Sequence, residues 1–176
     1  METSDWATLI QAAKAHAPMS VKALTYRRTW PSSCQPVQVS CDDGNDYVVK
    51  GSQAGRSTFN DQVVGRIAGE LGAPVATVGL VEIMPELIQI NPGMAHVTPG
   101  VAHGSLFVPN CTECQWFRYV DLLENRSRFA LLSVLYGWMI GLERQFFYAI
   151  TPPNLVYSFD HDAFFPNGPT WSIESL

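Results

Sequence analysis

"CDDGNDYVVKG", residues 41–51, decides how this chain is read. A turn signal, Asp43-Gly44-Asn45, runs into the β-rich Tyr47-Val48-Val49, and that run ends on Lys50 and Gly51. An Asp-Gly turn between two such runs is the signature of a β-hairpin, here joining "VQVSC" (37–41) to "DYVVK" (46–50). Lys50 then stands at the end of an otherwise apolar strand. The ordinary reading of such a lysine is a solvent-exposed strand end. The other is a cation aimed at an anionic ligand.

Outward from the hairpin the chain alternates between signals. "VKALTYRR" (21–28) reads as a half-buried strand, and "TWPSSCQP" (29–36) as the loop that joins it to the hairpin. After the glycine-bounded loop 51–56, Ser57 is placed as the N-cap of a helix with Val63, Val64, Ile67, Ala68 and Leu71 on one face. Gly72 and Pro74 end it. "PVATVGLVEI" (74–83) is a further strand. Residues 91–115, rich in Gly, Pro, Asn and His, read as a long loop or linker. "FRYVDLLEN" (117–125) and 126–142 read as helical, and "NLVYSFD" (154–160) as a late strand. Near the start, residues 4–16 have amphipathic helix spacing, capped by Ser4 and stopped by Pro18. The order predicts an α+β chain with its sheet concentrated at the front.

Composition narrows the function classes. Hydrophobic residues make up 47% of the 176 positions and charged ones 15%, enough apolar material for a real core. Eleven basic against sixteen acidic residues give a net charge of −5, which argues against a broad nucleic-acid-binding surface. The most apolar run, residues 129–142, is shorter than the ~18–20 residues a membrane span needs, so no membrane segment is expected. The start lacks the basic and apolar pattern of a signal peptide, so a cytoplasmic protein with reduced thiols is expected. Cys111 and Cys114 form one CxxC, but Cys34 and Cys41 have poor zinc-knuckle spacing, so ordinary loop and core cysteines are expected.

Several residues in order suggest phosphotransfer chemistry. A nucleotide phosphotransferase of the kinase type holds phosphates with a lysine on a sheet strand and positions it with an acid on the following helix. A catalytic acid and then a metal-binding Asp come later in the chain. Lys50 ends the hairpin, Asp61 lies in the first turns of the next helix, "GLERQFFY" (141–148) follows the apolar helix, and Asp160 follows a β run. In "DHD" (160–162), only Asp160 and Asp162 share a side of an extended chain and could share one cation. His103 and His161 are read as satisfied loop or core residues.

These stretches resemble the HipA-like kinase domain of bacteria. The likeness lies in "PVQVSCDDGNDYVVKGSQAGR", "NDQVVGRIAGELGAPVATVGLVEI", "GVAHGS" and "YSFDHDAFFPNGPTW", and covers most of residues 20–171. It implies a protein-kinase-like fold, with an antiparallel β-rich N-terminal lobe carrying one main helix (1–90) and a reduced, mostly helical C-terminal lobe (91–176). It implies ATP and Mg²⁺ as cofactors. Lys50 resembles the phosphate-binding lysine, Ser32 and Ser33 lie where the phosphate-covering loop would be, and Asp160 resembles the metal-binding Asp. Val81, Glu82 and Ile83 resemble the strand that leads into the adenine-binding hinge. With Asp61 beside Lys50, the resemblance gives Lys50, Ser32, Ser33, Asp61 and Glu82 for the nucleotide, Asp160 and Asp162 for the metal, and Glu143 and Arg144 for catalysis.

The departures from the family pattern matter as much. Its catalytic loop reads Asp-Arg followed by a metal-binding Asn; here it reads Glu143-Arg144, with Tyr148 in the place of the Asn. A phenol is a weak ligand for a hard cation, and "PSS" supplies no glycine for the phosphate loop. The chain also stops soon after Asp160, so a minimal lobe or a surface completed by a protein partner or a second copy is expected. An apolar flank at Phe164, Phe165 and Trp171 would be exposed for that contact, or folded back as core. Three functions follow: a degenerate kinase-fold protein that binds nucleotide, a partner or both in a regulatory role; an active ATP-dependent phosphotransferase; or an interaction module without a nucleotide site.

Overall fold

A computed structural model describes residues 7, 8, 11 and 19–172. The helix expected over residues 4–16 lies outside the described residues except at those three positions. The chain is α+β and builds two sheets. Strands β1 (Ser20–Thr29), β2 (Val37–Cys41), β3 (Asp46–Lys50), β4 (Val78–Ile83) and β5 (Gly100–Leu106) close a barrel in the order β1-β2-β3-β5-β4. Every pair is antiparallel except β1 with β4, whose parallel pairing Ser20–Leu80, Val21–Val81 and Lys22–Glu82 closes the circle. Strands β6 (Cys111–Cys114), β7 (Phe146–Ala149) and β8 (Val156–Ser158) form the second sheet, all antiparallel. Helix α1 (Ser57–Leu71) connects β3 to β4, α2 (Pro85–Ile90) follows β4, and α3 (Leu123–Trp138) lies between β6 and β7.

The hairpin forms as its turn chemistry predicts. Gly44 takes φ +83°, which favours glycine. The Asp43 carboxylate accepts from the Asn45 backbone N–H at 3.0 Å and from the Tyr47 hydroxyl at 2.8 Å, fixing the turn and the first residues of β3 together. Register then sets Val37 opposite Val49, both fully buried, in a core cluster with Val39, Val81, Ile83, Met94 and Ala102. Helix α1 ends at Gly72 in the left-handed conformation, φ +66°, as expected. Its start differs by one residue: Arg56 is the N-cap, without a side-chain capping bond, and Ser57 is already helical.

Several expectations are corrected. Residues 91–115 are not a long loop, because they contain β5 and β6. The glycines that suggested a loop serve packing: a Cβ on Gly104 would come within 2.5 Å of Val81 Cγ2, so only glycine lets β4 and β5 lie this close. Helix α3 begins at Leu123 and stops at Trp138, leaving 117–122 and 139–142 outside it. The segment 91–176 is not mostly helical, since α3 shares it with four strands. The second core gathers Leu132 and Leu135 of α3, Phe146 and Tyr148 of β7, Val156 of β8 and Phe164, with Val64 and Ala68 of α1. Phe164 is fully buried there, and Phe165 packs against the same cluster, so the apolar flank expected at 164, 165 and 171 is folded back. Exposed apolar side chains instead include Trp116, Phe117, Val134, Trp138 and Leu142. No helix among the described residues is long and apolar enough to cross a membrane.

Helix α1 lies against β4 through Gly65. A Cβ there would meet Val78 Cγ1 at 2.4 Å, whereas a Cβ on Gly69, one turn on, meets nothing within 4 Å. Gly69→Ala is therefore expected to stabilise the protein by up to about 1 kcal/mol through helix propensity. Gly65→Ala is expected to destabilise it by about 1–3 kcal/mol through overpacking, despite the same propensity gain. Urea unfolding of the two variants beside the wild type reads both signs.

Candidate functional site

Lys50 is not an exposed strand end: it is 8% exposed. Its ammonium lies 2.8 Å from Asp61 Oδ2 and 2.5 Å from Asp160 Oδ1. The three residues come from the end of β3, the second turn of α1 and the segment just after β8, so one cation joins three elements far apart in sequence. Asp61 is 3% exposed and uses its other oxygen to accept the His161 backbone N–H at 2.7 Å. Burial pushes the lysine pKa down, but the two carboxylates outweigh it and hold it above its ordinary value. Burial likewise raises Asp61, and the ammonium beside it reverses the sign, leaving that carboxyl below its ordinary value.

Two buried histidines flank the triad. His103 stands opposite Lys50 in the β3–β5 register. The Gln62 side-chain amide donates to its Nδ1 at 2.9 Å, so the Nε2–H is the donor to Ser105 Oγ at 3.0 Å. His161 Nε2 is 3.0 Å from Ser158 Oγ, which in turn meets the Tyr136 hydroxyl at 2.8 Å. Desolvation by burial lowers both imidazoles to about 4, so both are neutral at pH 7, in the satisfied core role expected of them.

Asp160 takes φ +55°, in the left-handed region. Beyond it the chain is strapped onto α1. The Asn60 amide donates to the carbonyls of Asp162 at 2.6 Å and Phe164 at 3.2 Å, and accepts from Trp171 Nε1 at 2.9 Å. Arg56 stacks on the Trp171 ring at 4.8 Å. This strap orders the residues that carry Asp160 and Asp162. The Asp162 carboxyl is raised by burial and then by the charge of Asp160. Neighbouring carboxylates of this kind suit a divalent cation, and Mg²⁺ commonly takes one or two protein carboxylates, the rest of its shell being phosphate and water. Among the described residues no group of three or more His, Cys, Asp or Glu forms a closed metal cage, and the four cysteines are free.

The remaining expected residues do not join the triad. Ser32 and Ser33 are exposed at the β1–β2 connection, which is tied down through Cys34 and Gln35 carbonyls to Gln53 and His96. Glu82 lies on β4, which runs into α2, while the strand that leads to the second sheet is β5. Glu143 is exposed in the loop before β7, and its charge acts on Asp162. Arg144 stacks on Phe117 at 5.3 Å. Tyr148 is fully buried, and its hydroxyl donates to the Trp116 carbonyl at 2.9 Å and accepts the Arg118 N–H at 3.0 Å. It faces the second core and is spent on structure. Two cavities open elsewhere, one of about 260 Å³ lined by Phe117, Phe129, Leu132 and Arg144 among others, the other of about 330 Å³ beside Gly65, Arg66 and Thr77.

The sequence reading missed an aromatic group on the Lys50 side of the barrel. Arg28 stacks 3.7 Å over the Trp30 ring, and Phe107 stands 6.4 Å from Trp30 between ring centroids. The available signal was parity: Val48 and Lys50 share a face of β3, and the residues paired with Val48 share that face across the sheet.

The neutral histidines set an acid limit. A histidine whose pKa falls from 6.5 unfolded to about 4 folded contributes stability that is complete above pH 6.5 and lost as pH falls toward 4. Between pH 7.5 and pH 5 the loss is on the order of 2 kcal/mol per histidine. Urea titrations at the two pH values are expected to show this drop, with His103→Gln flattening its share.

With this geometry in place, comparison with known proteins finds one match. A family model described as HipA-like kinase covers residues 25–165, which include Lys50, Asp61, Glu143, Asp160 and Asp162. No curated protein matches the chain.

Proposed function

The chain belongs to the HipA-like kinase family, and we propose that it is a kinase-fold protein with a degenerate catalytic loop that binds nucleotide, a protein partner or both in a regulatory role. The observation behind this reading is the buried triad, Lys50 between Asp61 and Asp160. A kinase needs a strand lysine, an acid on the next helix to position it and a metal-binding Asp later in the chain. The sheet order supports the same reading, because β3 carries the lysine and α1 lies between β3 and β4. In this reading the N-terminal lobe runs through β5, and residues 107–110 are the hinge to the second sheet.

Lys50 would keep Asp61 and release Asp160 when it takes up phosphate oxygens. Asp160 and Asp162 would hold Mg²⁺, which would neutralise phosphate charge. Asp61 orients the ammonium, and the neutral His103 and His161 add no competing charge at pH 7. The loop before β7 supports weak chemistry at most. Tyr148 has no free hydroxyl for a metal, and Glu143 is one methylene longer than the family's Asp, a misplacement that can cost ~100-fold.

Thermal unfolding with and without Mg²⁺–ATP tests the reading. Ligand at about 100 times its Kd should add about 2.7 kcal/mol, roughly 5–10 °C for a domain of this size. Lys50→Ala is expected to lose that increment, measured from its own lower baseline, because removing the ammonium leaves two carboxylates unpaired. No shift for the wild type at millimolar nucleotide would overturn nucleotide binding and leave the partner-binding role.

The second reading, an active phosphotransferase, is favoured by one observation: Glu143 is close enough for its charge to act on Asp162. A carboxylate there could accept the proton of an attacking hydroxyl. If it does, Glu143→Gln lowers phosphate transfer by at least about 100-fold and leaves nucleotide-induced stabilisation intact. Transfer unaffected by the change would sink Glu143 as the base.

A further inference from the structure

Helix α3, the segment before it and the loop before β7 surround a cavity of about 260 Å³ that the nucleotide reading does not use. Phe129, Leu132, Ser133 and Tyr136 line it from α3, at the i, i+3, i+4 and i+7 spacing of one helix face. Phe117 comes from the segment before the helix, Arg144 from the loop and Phe146 from β7. None of Lys50, Asp61 and Asp160 borders it, so a ligand here would not compete for the Lys50 site.

Rings make up most of its wall. The Phe117 centroid lies 5.6 Å from those of Phe129 and Phe146, and Phe129 lies 5.9 Å from Phe146. Their planes are tilted against one another by 39° to 85°, so a guest meets both ring faces and ring edges. Leu132 and Phe146, each 2% exposed, form a buried floor, whereas Phe117 is 55% exposed at the mouth. An apolar cavity of about 150 Å³ holds a benzene, and drug-sized sites begin at about 300 Å³. This one therefore suits a single ring with a short chain, or two fused rings.

Two of the polar side chains on the lining are already spent. The Ser133 hydroxyl donates to the Phe129 carbonyl at 2.8 Å, and the Tyr136 hydroxyl pairs with Ser158 Oγ at 2.8 Å. Arg144 differs from both. It is exposed and lies over the Phe117 ring at 5.3 Å, and among the described residues its guanidinium donates no hydrogen bond and meets no carboxylate. A guanidinium held against a ring still offers its in-plane N–H groups, whose fork matches the two oxygens of a carboxylate. A phosphate dianion would call for a second cation, and the next residue in the chain is instead the acid Glu143. We propose that this cavity binds a small carboxylate with a flat apolar body: the ring lies against Phe117, Phe129 and Phe146, and the carboxylate takes the Arg144 guanidinium at the mouth.

Titration followed by the protein's NMR shifts tests the site, with phenylacetate, 3-phenylpropionate and 2-naphthylacetate as probes, each beside its own neutral amide. At least one of the three carboxylates is expected to bind the wild type with a Kd of about 0.1–1 mM, a range open to ligands of about a dozen heavy atoms. Its amide, which keeps the ring and loses the charge, is expected to bind about tenfold more weakly. Arg144→Gln is expected to abolish that preference. Ser133→Phe, which fills the cavity from an exposed position on α3, is expected to abolish binding of acid and amide alike. The proposal is overturned by amides that bind the wild type as tightly as their acids, by a preference that survives Arg144→Gln, or by undiminished binding to Ser133→Phe. It is equally overturned when none of the three acids binds saturably up to about 10 mM. The comparison of acid with amide uses the wild type alone, so it decides the question of charge even where a variant fails to fold.

Discussion

One buried ammonium holds this structure to its shape. Lys50 reaches Asp61 and Asp160 with little water around it, and the three residues come from three elements. Lys50 and Asp61 have lost most of their hydration and Asp160 part of its own, so the charges depend on one another. Removing one partner of such a group costs about 3–5 kcal/mol, because the others stay buried and unpaired. Replacing all of it by apolar side chains would often be neutral or stabilising. A chain selected for stability alone therefore gains little from the triad. On the proposed reading the charges serve a ligand, since a lysine between carboxylates would receive an anion that arrives with its own cation.

The triad also fixes where the two sheets meet. Asp160 reaches Lys50 only if β8 ends at the right height beside α1, and that height is set by a second tie, Asn60 to the carbonyls of Asp162 and Phe164. Helix α1 is common to both. It places Asp61 under Lys50, gives Val64 and Ala68 to the second core, and lies close on β4 because Gly65 has no side chain to hold it off. A shift in this helix would thus move the acid, the strap and the core together.

Much of this was legible in the residues alone, and what was not has identifiable causes. The hairpin and α1 could be read because their signals are local: a glycine at positive φ in one turn and at one helix end, with apolar spacing between. Lys50, Asp61 and Asp160 could be picked out as chemistry-bearing residues from their order. Strands β5 and β7 could not. "GVAHGSL" carries two glycines and a histidine that imitate a loop, and its pairing is decided by neighbours more than fifteen residues away. Residues 146–149 form a strand because β6 and β8 lie on either side of it, whereas in sequence 146–148 close the loop "GLERQFFY" that follows the apolar helix. Asp61 was legible as an acid near Lys50 but not as the acceptor of a backbone N–H one hundred positions on. The Arg28–Trp30–Phe107 stack was hidden for the same reason, since β1 and the residue after β5 meet only across two intervening strands.

The site divides into a part that binds charge and a part that would perform chemistry, and the two have different fates in this chain. On the proposed reading the binding part is Lys50 with its carboxylates, whose charges depend on one another. The chemical part is the loop before β7, and its changes follow from packing. Tyr148 fills the second core and ties its hydroxyl to Trp116 and Arg118, so a smaller metal ligand at this position would open a cavity where the largest fully buried side chain among the described residues sits. On the proposed reading, Tyr148 serves the C-terminal core and not a metal shell. Electrostatic binding of a triphosphate requires only the first part, whereas phosphoryl transfer requires both, because its rate depends on positioning every charged group around one small transition state. On the proposed reading, a protein with the first part intact and the second committed to structure is better suited to sensing a nucleotide than to consuming it.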